Sequence, residues 1–305
     1  MNDPLETVLG RVPGWAEAGW NDVTPLEGGI TNRNYVVTVG GERFVMRLAG
    51  KDTDLLGIDR SLERAANAQA AALGLAPEVV AFLEPEGCLV TRFVAGAPVE
   101  GIGRGEPLAR VASLLRAFHG SDPIPGDFDA FRIPAAYRAT AQSRGVKVPD
   151  AYEEAASRAE LIQRAFAASP EPRVPCHNDL LHANFLAEPD GRLWLLDWEY
   201  AGMNDRFFDL GNFAVNNGLD ADAEAEMILA YFGQVTPPRL ARLRLMRVMS
   251  DFREAMWGVV QQGISTLDFD YVAYAEAHFE RLLRAARAPG INTLLEEAAC
   301  ATAPR

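Results

Sequence analysis

Cys176-His177-Asn178-Asp179-Leu180-Leu181-His182-Ala183-Asn184 has the form HxDxxxxN, and thirteen residues after Asn184 the chain reaches Asp197, within Leu195-Leu196-Asp197-Trp198-Glu199. Between them, Phe185-Leu186-Ala187 and Arg192 to Leu196 flank Glu188-Pro189-Asp190-Gly191, where proline, aspartate and glycine each favour a turn. The spacing predicts a hairpin that brings Asn184 and Asp197 to its same open end. One amide carbonyl and one carboxylate oxygen then face a common point. That donor set suits Mg²⁺, a hard cation that takes oxygen ligands and keeps much of its water. Asp179 lies just upstream, placed to accept a proton.

Upstream of this passage the first hundred residues read mainly as strands. Leu26-Glu27-Gly28-Gly29-Ile30-Thr31-Asn32 is a glycine-led loop, and Tyr35 to Val39 and Arg43 to Leu48 flank Gly40-Gly41 as a hairpin. In the second of these strands Phe44, Met46 and Leu48 alternate with Arg43, Val45 and Arg47, so one face packs into a core and the other, bearing Arg47, meets a cleft or solvent. Asp59 is placed to cap a helix from about Arg60 to Leu73, which Gly74 stops, and Glu63, Asn67 and Ala70 share a side of it. Val79 to Leu83 and Leu89 to Val94 are two more strands, giving the order β-β-β-α-β-β.

After Gly96-Ala97-Pro98 the pattern turns helical, with Leu108, Val111, Ala112, Leu115 and Phe118 spaced for one apolar face. A boundary is expected there, with one strand-like passage, Val174 to Tyr200, inside the helical part and an ordered connection over Asp122 to Pro134.

Composition narrows the function. The 305 residues carry 29 Lys and Arg against 42 Asp and Glu, a net charge of −13 that repels phosphate backbones and anionic lipid, so no nucleic-acid partner is expected. A hydrophobic content of 49% rules out disorder and fibrous repeats. Cys88, Cys176 and Cys300 form no CxxC pair, which argues against a disulfide framework or zinc site and suits a reducing cytoplasm. No basic region followed by an apolar run opens the sequence, and its apolar stretches are cut by Pro, Gly or charge, so a soluble protein without membrane insertion is expected. Lys51 and Lys147 are the only lysines.

Phosphoryl transfer needs a carboxylate to orient and deprotonate the acceptor hydroxyl, oxygen ligands for a metal, and a glycine-rich cover over the phosphates. All three occur here in order, and the five-position separation of Asp179 and Asn184 matches that of the protein-kinase catalytic loop. On these residues the sequence resembles the choline/ethanolamine kinase family, within the wider group of aminoglycoside-phosphotransferase-like small-molecule kinases. The resemblance spans Gly28 to Asn32, Phe44-Val45-Met46-Arg47-Leu48, His177 to Asn184, Leu196-Asp197-Trp198-Glu199-Tyr200 and Phe208-Asp209-Leu210-Gly211-Asn212. Trp257-Gly258-Val259-Val260-Gln261-Gln262, continued by Asp268-Phe269-Asp270-Tyr271 and Tyr274, looks specifically like the choline kinase branch.

The resemblance implies an α+β, two-lobed, protein-kinase-like fold. Residues 1–95 would form an ATP phosphate-binding lobe of five antiparallel strands and one helix. Residues 96–305 would form a mainly helical lobe holding the catalytic loop, metal site and acceptor pocket, with ATP in the cleft. The implied reaction moves the γ-phosphoryl group of ATP, with Mg²⁺, to the hydroxyl of a small cationic amino alcohol, choline or ethanolamine. The alternatives are a kinase of the same fold acting on an aminoglycoside or another metabolite, and a catalytically silent nucleotide-binding module.

Carried over by residue, the family implies Asp179 as catalytic base, Asn184 and Asp197 as metal ligands, and Gly28, Gly29, Thr31 and Asn32 in the phosphate loop. Arg47 would contact ATP phosphates and pair with Glu63; choline kinases resemble this chain in using arginine there, whose fork can grip two phosphate oxygens, and Lys51 is a flanking possibility. His177 would brace the catalytic loop, and Asp209 would hold its backbone or else cap a helix. Glu199 would assist the metal through water or lie at the surface. Trp257, Phe269 and Tyr274 would wall a quaternary ammonium or else be core. Eukaryotic choline kinases have a second tryptophan where Glu254 stands here; on a helix Glu254 shares a face with Trp257, either pairing with the substrate cation or solvated. Val215-Asn216-Asn217 also departs from those relatives, which place an acidic residue there. His182 reads as a loop residue, and His119 and His278 as helix-surface or satisfied core residues.

Overall fold

The computed structural model of the protein describes residues 4–26, 32–50, 53–84 and 87–302. Gly28, Gly29, Thr31 and Lys51 lie outside the described residues. The chain divides into two compact units, one of the segment up to Ala97 together with Leu186–Glu199, the other of Pro98–Phe185 with Tyr200–Arg305.

In the first unit β1 (Trp20–Leu26), β2 (Arg33–Val39), β3 (Glu42–Leu48), β4 (Val79–Leu83) and β5 (Cys88–Arg92) make an antiparallel sheet in the order β1-β2-β3-β5-β4. Gly40 and Gly41 have φ of 59° and 84°, the two positive values that a tight two-residue hairpin turn demands, and they set Val39 opposite Glu42. Phe44 and Met46 of β3 join Val37, Val39, Cys88 and Val90 in the core. That core is closed by two short helices, α1 (Pro4–Leu9) and α2 (Trp15–Ala18), through Val8, Leu9, Val12 and Trp15, whose ring centroid lies 5.2 Å from that of Phe44. The sequence reading of one helix in this part is thus incomplete: elements of one turn or so are too short to show periodicity.

The helix α3 (Arg60–Ala72) is capped by Asp59, whose carboxylate accepts from the Ser61 and Leu62 amides at 2.8 and 3.3 Å, and Gly74 follows its end at φ 73°. Its buried side is Glu63, Ala66, Asn67 and Ala70. The turn at 188–191 forms as the sequence predicts, with the Glu188 amide donating to the Arg192 carbonyl at 3.0 Å and Gly191 at φ 87°. The amide of Leu195 donates to the Leu75 carbonyl at 2.8 Å, which ties this hairpin to the end of α3.

The second unit is mainly helical: α4 (Gly105–His119), α5 (Ile133–Ser143), α6 (Ala151–Ala168), α7 (Arg206–Asn216), α8 (Ala221–Phe232), α9 (Pro237–Ile264), α10 (Tyr271–Ala286) and α11 (Ile291–Ala298). Leu108, Val111, Ala112, Leu115 and Phe118 of α4 are all fully buried. The long α9 is the axle against which α5, α7, α10 and α11 pack. Two glycines let backbones approach it. A Cβ on Gly211 of α7 would meet the Met246 backbone at 2.7 Å, and one on Gly258 of α9 would meet the Tyr274 ring at 2.9 Å. Antiparallel strands Arg173–Cys176 and Gly202–Asp205, with Cys176 opposite Gly202, anchor the start of the HxDxxxxN loop. Among the described residues no helix is long and apolar enough to cross a membrane.

Candidate active site

The loop after Cys176 leaves its strand through Asn178, held in the left-handed region at φ 67°. A non-glycine residue stays there only where its surroundings over-determine it. The Asn178 side chain donates to the Tyr200 carbonyl at 2.9 Å and accepts from Asn204 at 2.8 Å. Asp209, wholly buried on α7, supplies the principal clamp: one carboxylate oxygen accepts from the His177 amide at 2.8 Å, the other from the Asn178 amide at 2.7 Å. His119 completes it, with Nε2 2.9 Å from Asp209 and Nδ1 2.7 Å from the Tyr231 hydroxyl. Nε2–H therefore donates to the carboxylate while Nδ1 accepts from the phenol. Asn212 accepts from the Leu180 amide and donates to Ser250 at 2.9 Å. Asp209 thus holds loop backbone, and the helix-cap alternative does not apply, since Asp205 caps α7.

Within this frame the Asp179 amide donates to His177 Nδ1 at 3.2 Å, and the Asn184 side-chain amide donates to the Asp179 carbonyl at 2.9 Å. The latter bond uses the NH₂ of Asn184 and leaves its oxygen as the group available to a cation. His119, Cys176 and Asp209 also lie close enough together to suggest a buried metal set. Both ring nitrogens of His119 are engaged by protein, however, and burial, with the Asp209 charge second, pushes the Cys176 thiol well up. The trio is a brace.

Arg253 of α9 is almost fully buried. It donates from Nη1 to Asp179 Oδ1 at 3.2 Å, pairs with Glu254 Oε1, and stacks its guanidinium 4.1 Å over the Tyr200 ring. The second oxygen of Glu254 accepts from the Tyr274 hydroxyl at 2.8 Å. Glu254 is 3% exposed, which corrects the solvated reading. Burial and the Glu254 charge push the Tyr274 phenol strongly up, and burial pushes Tyr137 up to about 12 against the opposing pull of Arg253. Trp257 is buried, donates to the Tyr200 hydroxyl at 3.0 Å, and lies 5.6 Å from Tyr274 and 5.9 Å from Tyr271 at steep interplanar angles. Phe269 is the exposed member, 5.9 Å from Tyr274. The aromatic residues named from the sequence therefore form one cluster. Asn217, in the departing segment, spends its amide on the carbonyls of Leu180 and Phe213.

The first unit gathers a separate polar cluster. Arg47 pairs with Glu63 and reaches Asp197 at 3.2 Å and Glu199 at 3.9 Å. Arg60, at the start of α3, reaches Glu63 at 2.7 Å and Glu199 at 3.1 Å. Asn32 donates to Glu199 at 3.0 Å and accepts from the Gly50 amide at 3.2 Å. Burial pulls the Arg47 guanidinium down, but Glu63, Asp197 and Glu199 outweigh it and hold it fully charged. Glu199 is pushed up to about 7 by burial and by Asp197, against Arg47 and Arg60. Its 6% exposure removes the surface reading. Nor does Arg47 face solvent, because these carboxylates cover it. Asp197 itself sits at φ 63°.

Sequence reasoning missed Arg253 and Arg60; His119 is the satisfied core residue of its two readings, but its link to Asp209 was not foreseen. For Arg253 there was a signal: a charged pair, Arg253-Glu254, inside the otherwise apolar run Phe252 to Val260. The Arg60–Glu199 and His119–Asp209 links carried none, since they join residues 139 and 90 positions apart.

Residues 22–245, well over half of the chain, match the phosphotransferase enzyme family. A choline/ethanolamine kinase family protein from Mesorhizobium loti is similar at 30% identity and a TM-score of 0.82, over 97% of this chain and 98% of its own. Protein LicA of Haemophilus influenzae is 28% identical over 254 residues, 77% of this chain and 72% of that protein. An aminoglycoside phosphotransferase, APH(4)-Ia, shares the fold at 19% identity and a TM-score of 0.66, over 93% of this chain and 99% of its own. The chain therefore belongs to the phosphotransferase enzyme family, among its choline/ethanolamine kinases, and is an enzyme whose acceptor is an alcohol group.

Proposed function

We propose that the enzyme transfers the γ-phosphoryl group of ATP to the hydroxyl of a small cationic amino alcohol, most closely choline, with ethanolamine next. One observation carries this reading: Asp179 is linked through Arg253 and Glu254 to Tyr274, which packs against Trp257 and Phe269, so a proton acceptor and an aromatic wall belong to one network. Asp179 orients the acceptor hydroxyl and takes its proton as the bond to phosphorus forms, and Asp209 keeps it in place through the loop backbone. The aromatic faces attract an ammonium group, each by about 0.5–2 kcal/mol depending on desolvation.

Asn184 and Asp197 are the residues that would hold Mg²⁺. They fit it in donor chemistry: both offer oxygen, the Asn184 amide nitrogen is already committed to the Asp179 carbonyl, and the Asp197 side chain is 36% exposed. When bound, the ion supplies charge neutralisation at the phosphates. Arg47, held by Glu63, adds a fixed positive charge, and Gly28 to Asn32 is assigned as the phosphate loop. In this reading residues 1–95 serve ATP, and the acceptor is bound within residues 96–305.

The test is Mg-ATP-dependent ADP release with choline, ethanolamine, methylated intermediates and aminoglycosides, using Asp179→Asn and Asp197→Ala as controls. Turnover with the small amines, lost in both controls, is expected. Turnover with aminoglycosides alone would overturn the amino-alcohol reading, and wild-type turnover in Asp197→Ala would overturn the metal assignment.

A further inference from the structure

Arg253 and Glu254 are consecutive on α9, and consecutive helical side chains ordinarily diverge. Here they converge. Nη1 of Arg253 meets both Asp179 Oδ1, at 3.2 Å, and Glu254 Oε1, while Glu254 Oε2 takes the Tyr274 hydroxyl at 2.8 Å. Arg253 is 1% exposed, and the Tyr200 residue over whose ring its guanidinium lies receives the Trp257 indole N–H on its hydroxyl. One buried cation therefore faces two buried carboxylates. Burying such a group is costly unless it is paired and hydrogen-bonded, and removing one member leaves an uncompensated charge.

We propose that Arg253 is a positioning residue for phosphoryl transfer: its guanidinium locks the carboxylate of Asp179 to that of Glu254, so that the proton acceptor and the aromatic acceptor wall are set as one piece. This rests on the reading of Asp179 as the base. The lock spans three parts of the second unit: the catalytic loop through Asp179, α9 through Arg253 and Glu254, and α10 through Tyr274. Without the cation, two carboxylates remain side by side in a buried place, and their repulsion moves Asp179 off the acceptor hydroxyl. Deleting one of the two charges should then restore much of the loss. A guanidinium that merely filled space predicts the reverse, since a second lesion adds to the first.

The experiment measures kcat, both KM values and melting temperature for full-length Arg253→Met, Arg253→Lys, Glu254→Gln and the double variant Arg253→Met/Glu254→Gln, with Asp179→Asn alongside. The expected result is a loss of kcat of about 100-fold in Arg253→Met, as for a displacement of about 1 Å, with the KM for ATP within twofold of wild type. At least tenfold of that loss should return in the double variant, and Arg253→Lys, which keeps the charge but not the planar group stacked on Tyr200, should fall between. No recovery in the double variant, or wild-type kcat in Arg253→Met, overturns the proposal. Should Arg253→Met not fold, Arg253→Lys decides: a tenfold loss of kcat at unchanged melting temperature supports the lock, and wild-type kcat refutes it. Asp179→Asn separates the two levels. If it is inactive while the Arg253 variants behave as wild type, only the lock fails; if it is active, the reading of Asp179 as base fails and takes the lock with it.

Discussion

Replacing Asp209 by asparagine keeps the size of the side chain and removes its charge and one acceptor atom. In the native site one oxygen serves the His177 amide and His119 Nε2, and the other serves the Asn178 amide. The best placement of an amide keeps its oxygen toward His177 and His119 and turns the NH₂ at the Asn178 N–H, donor against donor. An orphaned buried donor costs about 1–3 kcal/mol, and each surviving bond loses about 1 kcal/mol of charge assistance. Asp209→Asn should therefore lower unfolding free energy by about 3–5 kcal/mol, roughly a fifth or more of what a domain of ordinary stability has. The released amide belongs to the left-handed Asn178, next to Asp179, so the loop should relax and kcat should fall about 100-fold or more. Urea denaturation and acceptor-dependent ADP release measure the two effects. If the variant unfolds within about 1 kcal/mol of wild type and turns over within threefold of it, the clamp does not act as described.

Other perturbations test other parts. Gly258→Ala places a Cβ 2.9 Å from the Tyr274 ring and 3.2 Å from the Ala275 Cβ, so it should cost about 1–3 kcal/mol and raise the acceptor KM while leaving that for ATP alone; an unchanged melting curve and KM would contradict this. Glu199 titrates near 7 in the folded protein against 4.5 ordinarily, so it binds a proton more readily folded than unfolded. Its contribution to stability is present below about pH 4.5 and is lost, by about 3 kcal/mol, as pH rises through 7. In Glu199→Gln the fall in urea midpoint between pH 5 and 8 should shrink accordingly, and an identical fall would refute the assignment. Asp59→Ala removes the α3 cap, and should cost about 1 kcal/mol in thermal unfolding with turnover unchanged.

Much of the fold was legible because it is written in short-range patterns. Alternation in Phe44 to Leu48, the Gly40-Gly41 pair, the Asp59 cap and the apolar spacing from Leu108 to Phe118 each state a local backbone preference, and the strands and helices form where these preferences lie. The helices α1 and α2 were not legible, since a single turn is stabilised by the core it covers more than by its own residues. Glu199 and Glu254 were readable as carboxylates, but whether they meet water or a guanidinium depends on segments far away in the chain.

By itself the sequence determined the order of the five strands and α3 in the first unit, and the spacing of Asp179, Asn184 and Asp197, because motif chemistry depends on which groups stand how many residues apart. Only the tertiary structure decided which charges neutralise one another. Arg253 reaches Asp179 across 74 residues and His119 reaches Asp209 across 90. Such pairs are selected by burial, which makes an unpartnered charge intolerable, and burial is a property of the packed chain rather than of any stretch of it.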